Sequence, residues 1–312
     1  MSETIVYIRR EEIDVDKWNA CIDAASNGVV YARVWWLDKM ADNWDALVLG
    51  DYKAIMPLPW KKKWRIQYLY QPYFTPSLGI IAHHVDGFIA ERFLNHIPSN
   101  FKYWEIDLNE GNGAVATFHK KDCSVLLRTN FMITLDKPYA STAEKYHRTL
   151  KKNLRRIENE GLVLTSISAD DLVKFYKGNY ADVSQQIGDG EYHKLSAALK
   201  HAQSLGQLQA FAVSSSEGEI LAVYGALTDN KYIYSIVGGS TARGKEFGAF
   251  SFIIDFIIKH HSGSGKTFRF EGSDIESIAF FNRQFGAVEC KYPHVKYNGL
   301  PWPVSLLKPT EK

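Results

Sequence analysis

Cysteine is scarce in this sequence: Cys21, Cys123 and Cys290 are odd in number and far apart. No CxxC or Cys/His ligand spacing joins them, so neither a disulfide framework nor a zinc site is expected, and no other metal is expected. Charge of one sign is lacking too. Lys and Arg number 37 against 35 Asp and Glu, a net +2, which gives no bulk field to draw nucleic acid. Long hydrophobic runs are also missing. The longest apolar helical pattern is interrupted by Asp255 and is too short to cross a bilayer. The start, Met1-Ser2-Glu3-Thr4-Ile5-Val6, has neither a basic region nor an apolar core, so no secretory signal is expected. The expected setting is cytoplasmic and reducing. No Walker loop, Rossmann fingerprint or Ser/His/Asp set is present.

What remains is a chain of 312 residues, 46% hydrophobic and 23% charged. That suits about two soluble globular domains with sizeable cores. The informative stretch is 208–287. Residues 209–213 and 220–227 are apolar strands split by a Ser214-Ser215-Ser216-Glu217-Gly218 turn, and 231–237 (KYIYSIV) is a third strand. Then come Gly238-Gly239-Ser240-Thr241-Ala242-Arg243-Gly244 and a helix with Phe247, Phe250, Ile254, Ile257 and Ile258 at helical spacing. A short strand, Phe268-Arg269-Phe270-Glu271-Gly272-Ser273, leads to a second helix through Ile275, Ile278, Ala279, Phe281 and Phe285, stopped by Gly286. A strand ending in a Gly-rich turn that opens a helix is one place to hold an anion, because unpaired N–H groups and the helix dipole meet there. The same glycines also serve a plain bend.

The order strand–strand–strand, Gly-rich turn, helix, strand, helix resembles the core of the GNAT acyltransferase fold. Phe270-Glu271-Gly272-Ser273 followed by Ile278-Ala279-Phe280-Phe281-Asn282-Arg283-Gln284-Phe285-Gly286-Ala287 resembles the Fem-type branch, which includes the aminoacyltransferases of peptidoglycan bridges. The implied fold class is α/β (α+β), with two tandem GNAT-like domains, each a mixed, mostly antiparallel sheet flanked by helices. Residues 53–58, 65–70, a loop, a helix at 88–97 and a strand at 103–108 repeat the later order at an offset of about 166, as a diverged duplication would. The boundary is expected at Asp136-Lys137-Pro138, giving domains 1–138 and 139–312, with the donor site in the second. The first copy carries Pro-rich 71–79 where the second carries its glycines.

The resemblance implies an N-acyltransferase that takes its acyl group from acyl-CoA, acetyl or longer. The acceptor would bear an amine, either a small molecule or something like a peptidoglycan precursor. Acyl transfer needs a held donor, a polarised carbonyl and a base for the amine. Gly238, Gly239, Arg243, Gly244, Gly248 and Ala249 are the candidates for holding the donor. Departures from the GNAT pattern are visible. Glu246 stands at a position where a charge would repel phosphate, and Asn282 stands where many GNAT enzymes have a tyrosine that protonates the thiolate.

Glu271, at the end of the strand that splays in GNAT folds, is a candidate base or amine-recognising group. The alternative is a carboxylate capping the helix that starts near Ser273-Asp274. Tyr292, His294 and Tyr297 on the last strand (KYPHVKY) can face the cleft together, with His294 and Tyr297 as catalytic candidates; the alternative for His294 is a side chain simply packed in the strand. Lys61-Lys62-Lys63 reads as a solvated turn.

A helix capped by Ser141 or Thr142 carries Lys145, Arg148, Lys151, Lys152, Arg155 and Arg156 with no acid before Glu158. It is either a solvated basic face or a contact for a polyanion, whether CoA phosphates, tRNA or a membrane surface. Fem-type enzymes that use aminoacyl-tRNA insert a coiled-coil arm in this half. The helices at 172–186 and 192–205 are too short for one. Three readings therefore stand: an acyl-CoA N-acyltransferase, an aminoacyl-tRNA-dependent transferase, and a degenerate pair that binds without catalysis.

Overall fold

The computed structural model describes residues 3–157, 160–180, 187–272 and 274–308. Glu158, Ser273 and the end of the expected helix at 181–186 lie outside them. The chain divides into two compact units, Met1–Thr129 with Lys291–Lys312, and Asn130–Cys290. The final strand thus groups with the first unit, where the sequence suggests a single boundary near 138.

The first unit holds β1 (Ile5–Arg9), α1 (Val15–Ala24), α2 (Val34–Met40), β2 (Trp44–Leu49), β3 (Ala54–Lys63), β4 (Ile66–Tyr70), β5 (Ile81–Ala82), α3 (Gly87–His96) and β6 (Phe101–Asp107). Next is β7 (Cys123–Thr134), whose last five residues belong to the second unit. That unit continues with α4 (Tyr139–Glu144), α5 (Arg148–Ile157), β8 (Val163–Ser166), α6 (Ala169–Tyr180), α7 (Asp189–Ser204), β9 (Leu208–Ser214), β10 (Ile220–Thr228) and β11 (Tyr232–Ser240). It closes with α8 (Ala242–Phe247), α9 (Ala249–His261), β12 (Thr267–Arg269) and α10 (Glu276–Arg283). The last strand is β13 (Val288–Asn298).

In the first unit the strands run β1-β2-β3-β4-β6-β13, with β5 on β3. In the second they run β7-β12-β11-β10-β9-β8. Both contain the same device. β3 and β4 are antiparallel, and β4 then joins β6 in parallel through α3. β10 and β11 are antiparallel, and β11 joins β12 in parallel through α9. A parallel neighbour needs a crossover, and here each crossover is a helix. The expected duplication is therefore visible as architecture.

The crossover helices form where apolar residues recur at helical spacing. Asp86 starts α3 by accepting the Ile89 N–H at 2.8 Å, and the helix buries Ala90, Phe93 and Leu94. On α9 the buried set is Ala249, Ile253, Ile254, Ile257 and Ile258. Each such large side chain contributes about 1.5–3 kcal/mol when fully buried. One core gathers Leu47, Met56, Leu69, Phe93 and Trp104, and the other Phe131, Tyr224, Ile254, Phe268 and Phe285.

Three local expectations are corrected. Lys61-Lys62-Lys63 close β3 as strand residues, and the turn falls at Trp64 and Arg65, both at positive φ (50° and 66°). The basic helix is two elements, α4 and α5. Pro138, not Ser141 or Thr142, stands at the α4 N-cap, and it makes no side-chain cap bond. The apolar helix starting near Phe247 is broken by Gly248, whose φ of 75° ends α8 and starts α9. Among the described residues no helix is long and apolar enough to cross a membrane.

Candidate functional site

In the second unit the parallel pair β11–β12 does not stay paired. Its register runs Tyr232↔Thr267, Ile233↔Phe268 and Tyr234↔Arg269, then stops. Residues 235–240 continue along β10 on the other side, so among the described residues one edge of that segment has no strand partner. Glu271 (φ 55°) and Gly272 (φ 95°) turn the chain away after β12. A left-handed conformation costs a non-glycine residue about 1–3 kcal/mol, so something must hold Glu271 in it.

Two contacts do. The Arg269 Nε donates to Glu271 Oε1 at 2.8 Å, and both side chains are only 3% exposed. The Gly272 N–H donates to Asn130 Oδ1 at 3.1 Å. The guanidinium itself lies over the rings of Tyr232 and Tyr234, at 5.2 and 5.7 Å. α10 begins at Glu276 behind Ile275, which makes no side-chain cap bond.

The splay opens a cavity of about 700 Å³ lined by Gly238, Gly239, Gly244, Gly248, Glu271 and Asn282 among others. Those six were singled out by the sequence. The two remaining donor candidates do not line it. Arg243 is turned outward to Glu219 and, at 3.5 Å, to Glu217. Ala249 is buried in the core, leaving only its N–H in the first turn of α9. Glu246 is exposed and also lies off the cavity wall.

The glycines answer first to packing. A Cβ on Gly239 would lie 2.1 Å from the Tyr180 ring, one on Gly238 2.6 Å from Phe250, and one on Gly244 2.0 Å from the Leu221 carbonyl oxygen. The Gly244 N–H is already used by the Thr241 side chain, which caps α8 at 3.0 Å. The start of α9 differs. Gly248 supplies no side-chain cap, and the helix itself provides no acceptor for its first-turn N–H groups. Phe250 and Ser251 from that turn line the cavity together with Lys245.

Lys245, Ser251, Tyr180 and Asn153 were missed from sequence. Lys245 adjoins the glycines and was the only one of the four with a local signal. Tyr180 reaches the site from α6, accepting the Ser240 N–H at 3.1 Å. Asn153 comes from the basic helix α5. On that helix and just before it, Lys145, Arg148, Lys152 and Arg155 are exposed. Lys151 donates to the Glu144 carbonyl at 2.7 Å and Arg156 to the Glu246 carbonyl at 2.8 Å.

His294 and Tyr297 belong to the other unit and part company there. They are three residues apart on β13, so the two-residue period of a strand sends them to opposite faces. The Tyr297 ring packs on Trp104, centroids 4.5 Å apart, against the core. His294, buried, meets Asp107 across the β6–β13 ladder, Nδ1 to Oδ1 at 2.9 Å. His294 and Asp107 border a second cavity of about 590 Å³. The expectation that His294 and Tyr297 face one cleft is therefore corrected.

No family model matches the chain, and no curated protein matches it in sequence. Solved structures do match in shape. FemX superposes with a TM-score of 0.67 over 99% of this chain and 100% of its own, at 14% identity. The C-terminal domain of a putative lysylphosphatidylglycerol synthetase from Agrobacterium fabrum gives 0.55 over 94% of each chain, at 12% identity. A tandem GNAT protein from the clavulanic acid biosynthesis pathway gives 0.51 over 96% of this chain and 99% of its own, at 10% identity. The fold is Fem-like and GNAT-related. The tandem, mixed α/β class expected from the sequence is the one observed.

Proposed function

We propose that the protein is an N-acyltransferase that binds acyl-CoA in the second unit's cleft and passes the acyl group to an amine-bearing acceptor. One observation carries the reading: β11 and β12 part after Tyr234 and leave a roomy cavity at the start of α9. On this reading the pyrophosphate lies at the first turn of α9, where Lys245 and the N–H groups of Ala249, Phe250 and Ser251 supply donors and positive potential. The thioester runs along the unpartnered edge of residues 235–240. A backbone N–H there polarises the carbonyl as charge develops on its oxygen. Glu271, ion-paired with Arg269, holds the turn that opens this cleft. Asn282 has no acidic proton to give the departing thiolate, so that proton comes from the amine or from water.

A specific feature favours a polyanionic donor. α5 contributes Asn153 to the cavity wall and exposes Arg148, Lys152 and Arg155, which suits the nucleotide end of CoA. Aminoacyl-tRNA would use the same face, and it is the second reading.

The test is thermal unfolding of the purified chain with CoA, acetyl-CoA and longer acyl-CoAs. A ligand bound only by the native state at a hundred times its Kd adds about 2.7 kcal/mol, which raises Tm by roughly 5–10 °C. Lys245→Ala should shrink that rise. No shift with any of them at millimolar concentration would overturn the acyl-CoA reading and leave aminoacyl-tRNA, or binding without catalysis, to be tested in its place.

A further inference from the structure

Among the described residues the most exposed large apolar side chains are Trp302, Trp64 and Leu306, at 80, 74 and 69%. They come from two segments of the first unit. One is the tip of the β3–β4 hairpin, and the other is the stretch 299–308 that follows β13. The two are neighbours. Lys63 and Trp64 from the tip line the 590 Å³ cavity together with Leu300, Val304 and Lys308 from the stretch.

Neither exposure comes from slack chain. Lys63 pairs with Ile66 across the hairpin, so Trp64 and Arg65 are the two central residues of the turn, both at positive φ. Such a turn favours Asn-Gly, because a bulky side chain at positive φ is strained. Tryptophan suits neither the bend nor the water around it. The stretch after β13 is tied down by Asn298. Its Nδ2 donates to the Ser305 and Lys308 carbonyls, both at 2.8 Å, and its Oδ1 accepts the Leu300 N–H at 3.2 Å. Leu300, Val304 and Lys308 recur every four residues on the cavity side, while Trp302 and Leu306, midway between them, face solvent.

The charges carried by these two segments are of one sign. Residues 61–65 read Lys-Lys-Lys-Trp-Arg, and 299–308 contain Lys308 and no acid. Lys61 is paired with Asp42 at 3.0 Å. Lys62, Lys63, Arg65 and Lys308 are exposed and make no ion pair among the described residues. The Lys63 ammonium lies 4.9 Å from the centroid of the Trp64 ring. The carboxylates of the cavity itself are engaged inside it, Glu105 by the Tyr103 hydroxyl and Asp107 by Arg128.

We propose that this rim of the first unit docks on the surface of an anionic lipid bilayer. Trp64, Trp302 and Leu306 enter the interface, and Lys62, Lys63, Arg65 and Lys308 meet the headgroups. The composition is what such a surface selects: indole rings settle at headgroup level, leucine reaches the acyl chains, and Lys and Arg are drawn to anionic lipid. A protein partner fits less well, because Lys is depleted in protein interfaces. A nucleic acid would use the cations and could stack on the indoles, but it leaves Leu306 without a role, and the net charge of +2 gives it no bulk field.

Vesicle co-sedimentation tests this on the full chain, with neither donor nor acceptor present. The protein should partition onto vesicles of phosphatidylcholine and phosphatidylglycerol in equal parts, far less onto phosphatidylcholine alone, and added salt should release it. Lys62→Gln, Lys63→Gln and Arg65→Gln together should weaken that partition about a hundredfold. Trp64→Ser and Trp302→Ser should each weaken it several-fold. Arg148→Gln with Lys152→Gln, which changes the basic face of α5 instead, should alter it less than about twofold. Partition lost in the α5 variant and kept in the hairpin variants would overturn the proposal.

A second variant separates docking from folding. Trp64→Asn with Arg65→Gly gives the turn the residues it favours. It should raise Tm and weaken vesicle binding together, so that the loss cannot be laid to an unfolded chain. Vesicle binding that survives this change undiminished would overturn the proposal. So would the absence of partition onto either kind of vesicle. A single-stranded oligonucleotide, or a second copy of the chain, bound through the same hairpin residues would then be the partner in its place.

Discussion

The two units share one crossover and end it in opposite ways. In the second, β11 and β12 separate after Tyr234 and leave about 700 Å³. In the first, β4 pairs with β6 through to Tyr70↔Glu105. The loop after it then re-enters, and Leu78 takes the next place on β6: its N–H donates to the Asp107 carbonyl and its own carbonyl accepts the Asn109 N–H, both at 2.9 Å. Between the strands the space left among Met56, Leu69, Leu78 and Leu108 is about 10 Å³, at most one water, and the 590 Å³ cavity of this unit borders β4 and β6 where they are still paired. Antiparallel pair, helix and parallel strand therefore do not make a cleft by themselves. The segment after the first strand of the crossover decides, and it is a glycine turn in one unit and a returning proline-rich loop in the other.

The two crossovers also end on corresponding carboxylates. At an offset of 166, Tyr103 falls on Arg269 and Glu105 on Glu271. Each carboxylate accepts from the residue two before it: a phenol in the first unit, a guanidinium in the second. The second pair is almost fully buried, and a buried charge needs an opposite charge where a half-buried one can do with a neutral donor.

The largest expected effect tests that difference. Glu271→Ala strands the Arg269 charge and should cost about 3–5 kcal/mol in urea unfolding. Arg269→Met combined with Glu271→Leu should restore most of it. If the double variant is as unstable as the single one, the pair is not what sets the cost, and the comparison with Tyr103–Glu105 fails. Loss of activity in Glu271→Ala alone would say nothing about catalysis, because the fold goes with it.

A smaller effect tests the glycine turn. Gly244→Ala places a Cβ 2.0 Å from a backbone oxygen that cannot move aside cheaply. Overpacking of this kind costs about 1–3 kcal/mol, so Tm should drop by several degrees. Gly113→Ala in the first unit meets nothing within 4 Å and should be silent. Equal effects at the two positions would mean that the turn is not specially crowded.

How much of this was legible in sequence depends on the range of the interaction. Repetition of the crossover is written in local patterns: strand alternation, helical spacing in α3 and α9, and glycine against proline after the first strand. Gly238, Gly239, Gly244 and Gly248 are legible as lining of the cavity because a turn marks itself locally. The outward turn of Arg243 is not legible, because its partners, Glu217 and Glu219, sit across a strand connection. Ala249 carries no side-chain signal that separates a ligand-facing position from a core one. Tyr180 reaches the cleft from 60 residues away, and the Asp107–His294 contact joins residues 187 apart. No spacing rule reports either. For Tyr297 the odd separation from His294 is itself enough to place it on the opposite face of the strand.

The smallest effect asks whether a neutral donor suffices in the first unit. Tyr103→Phe removes the hydroxyl that donates to Glu105 and leaves the ring in place. A hydrogen bond to a charged group contributes about 1.5–3 kcal/mol, and the partial exposure of Glu105 discounts that to about 1 kcal/mol. The sign with pH is set by the direction of the shift. Because the folded carboxyl is held below its ordinary value, its stabilisation is fully present above the unfolded pKa, about 4.3. It is lost as pH falls through the folded value. The Tyr103→Phe deficit, read as a difference in urea midpoint, should therefore be constant from about pH 7 down to about 5 and vanish in acid. A deficit that persists in acid would trace to ring packing, and the phenol would then have no part in holding the charge that its counterpart Arg269 holds in the second unit.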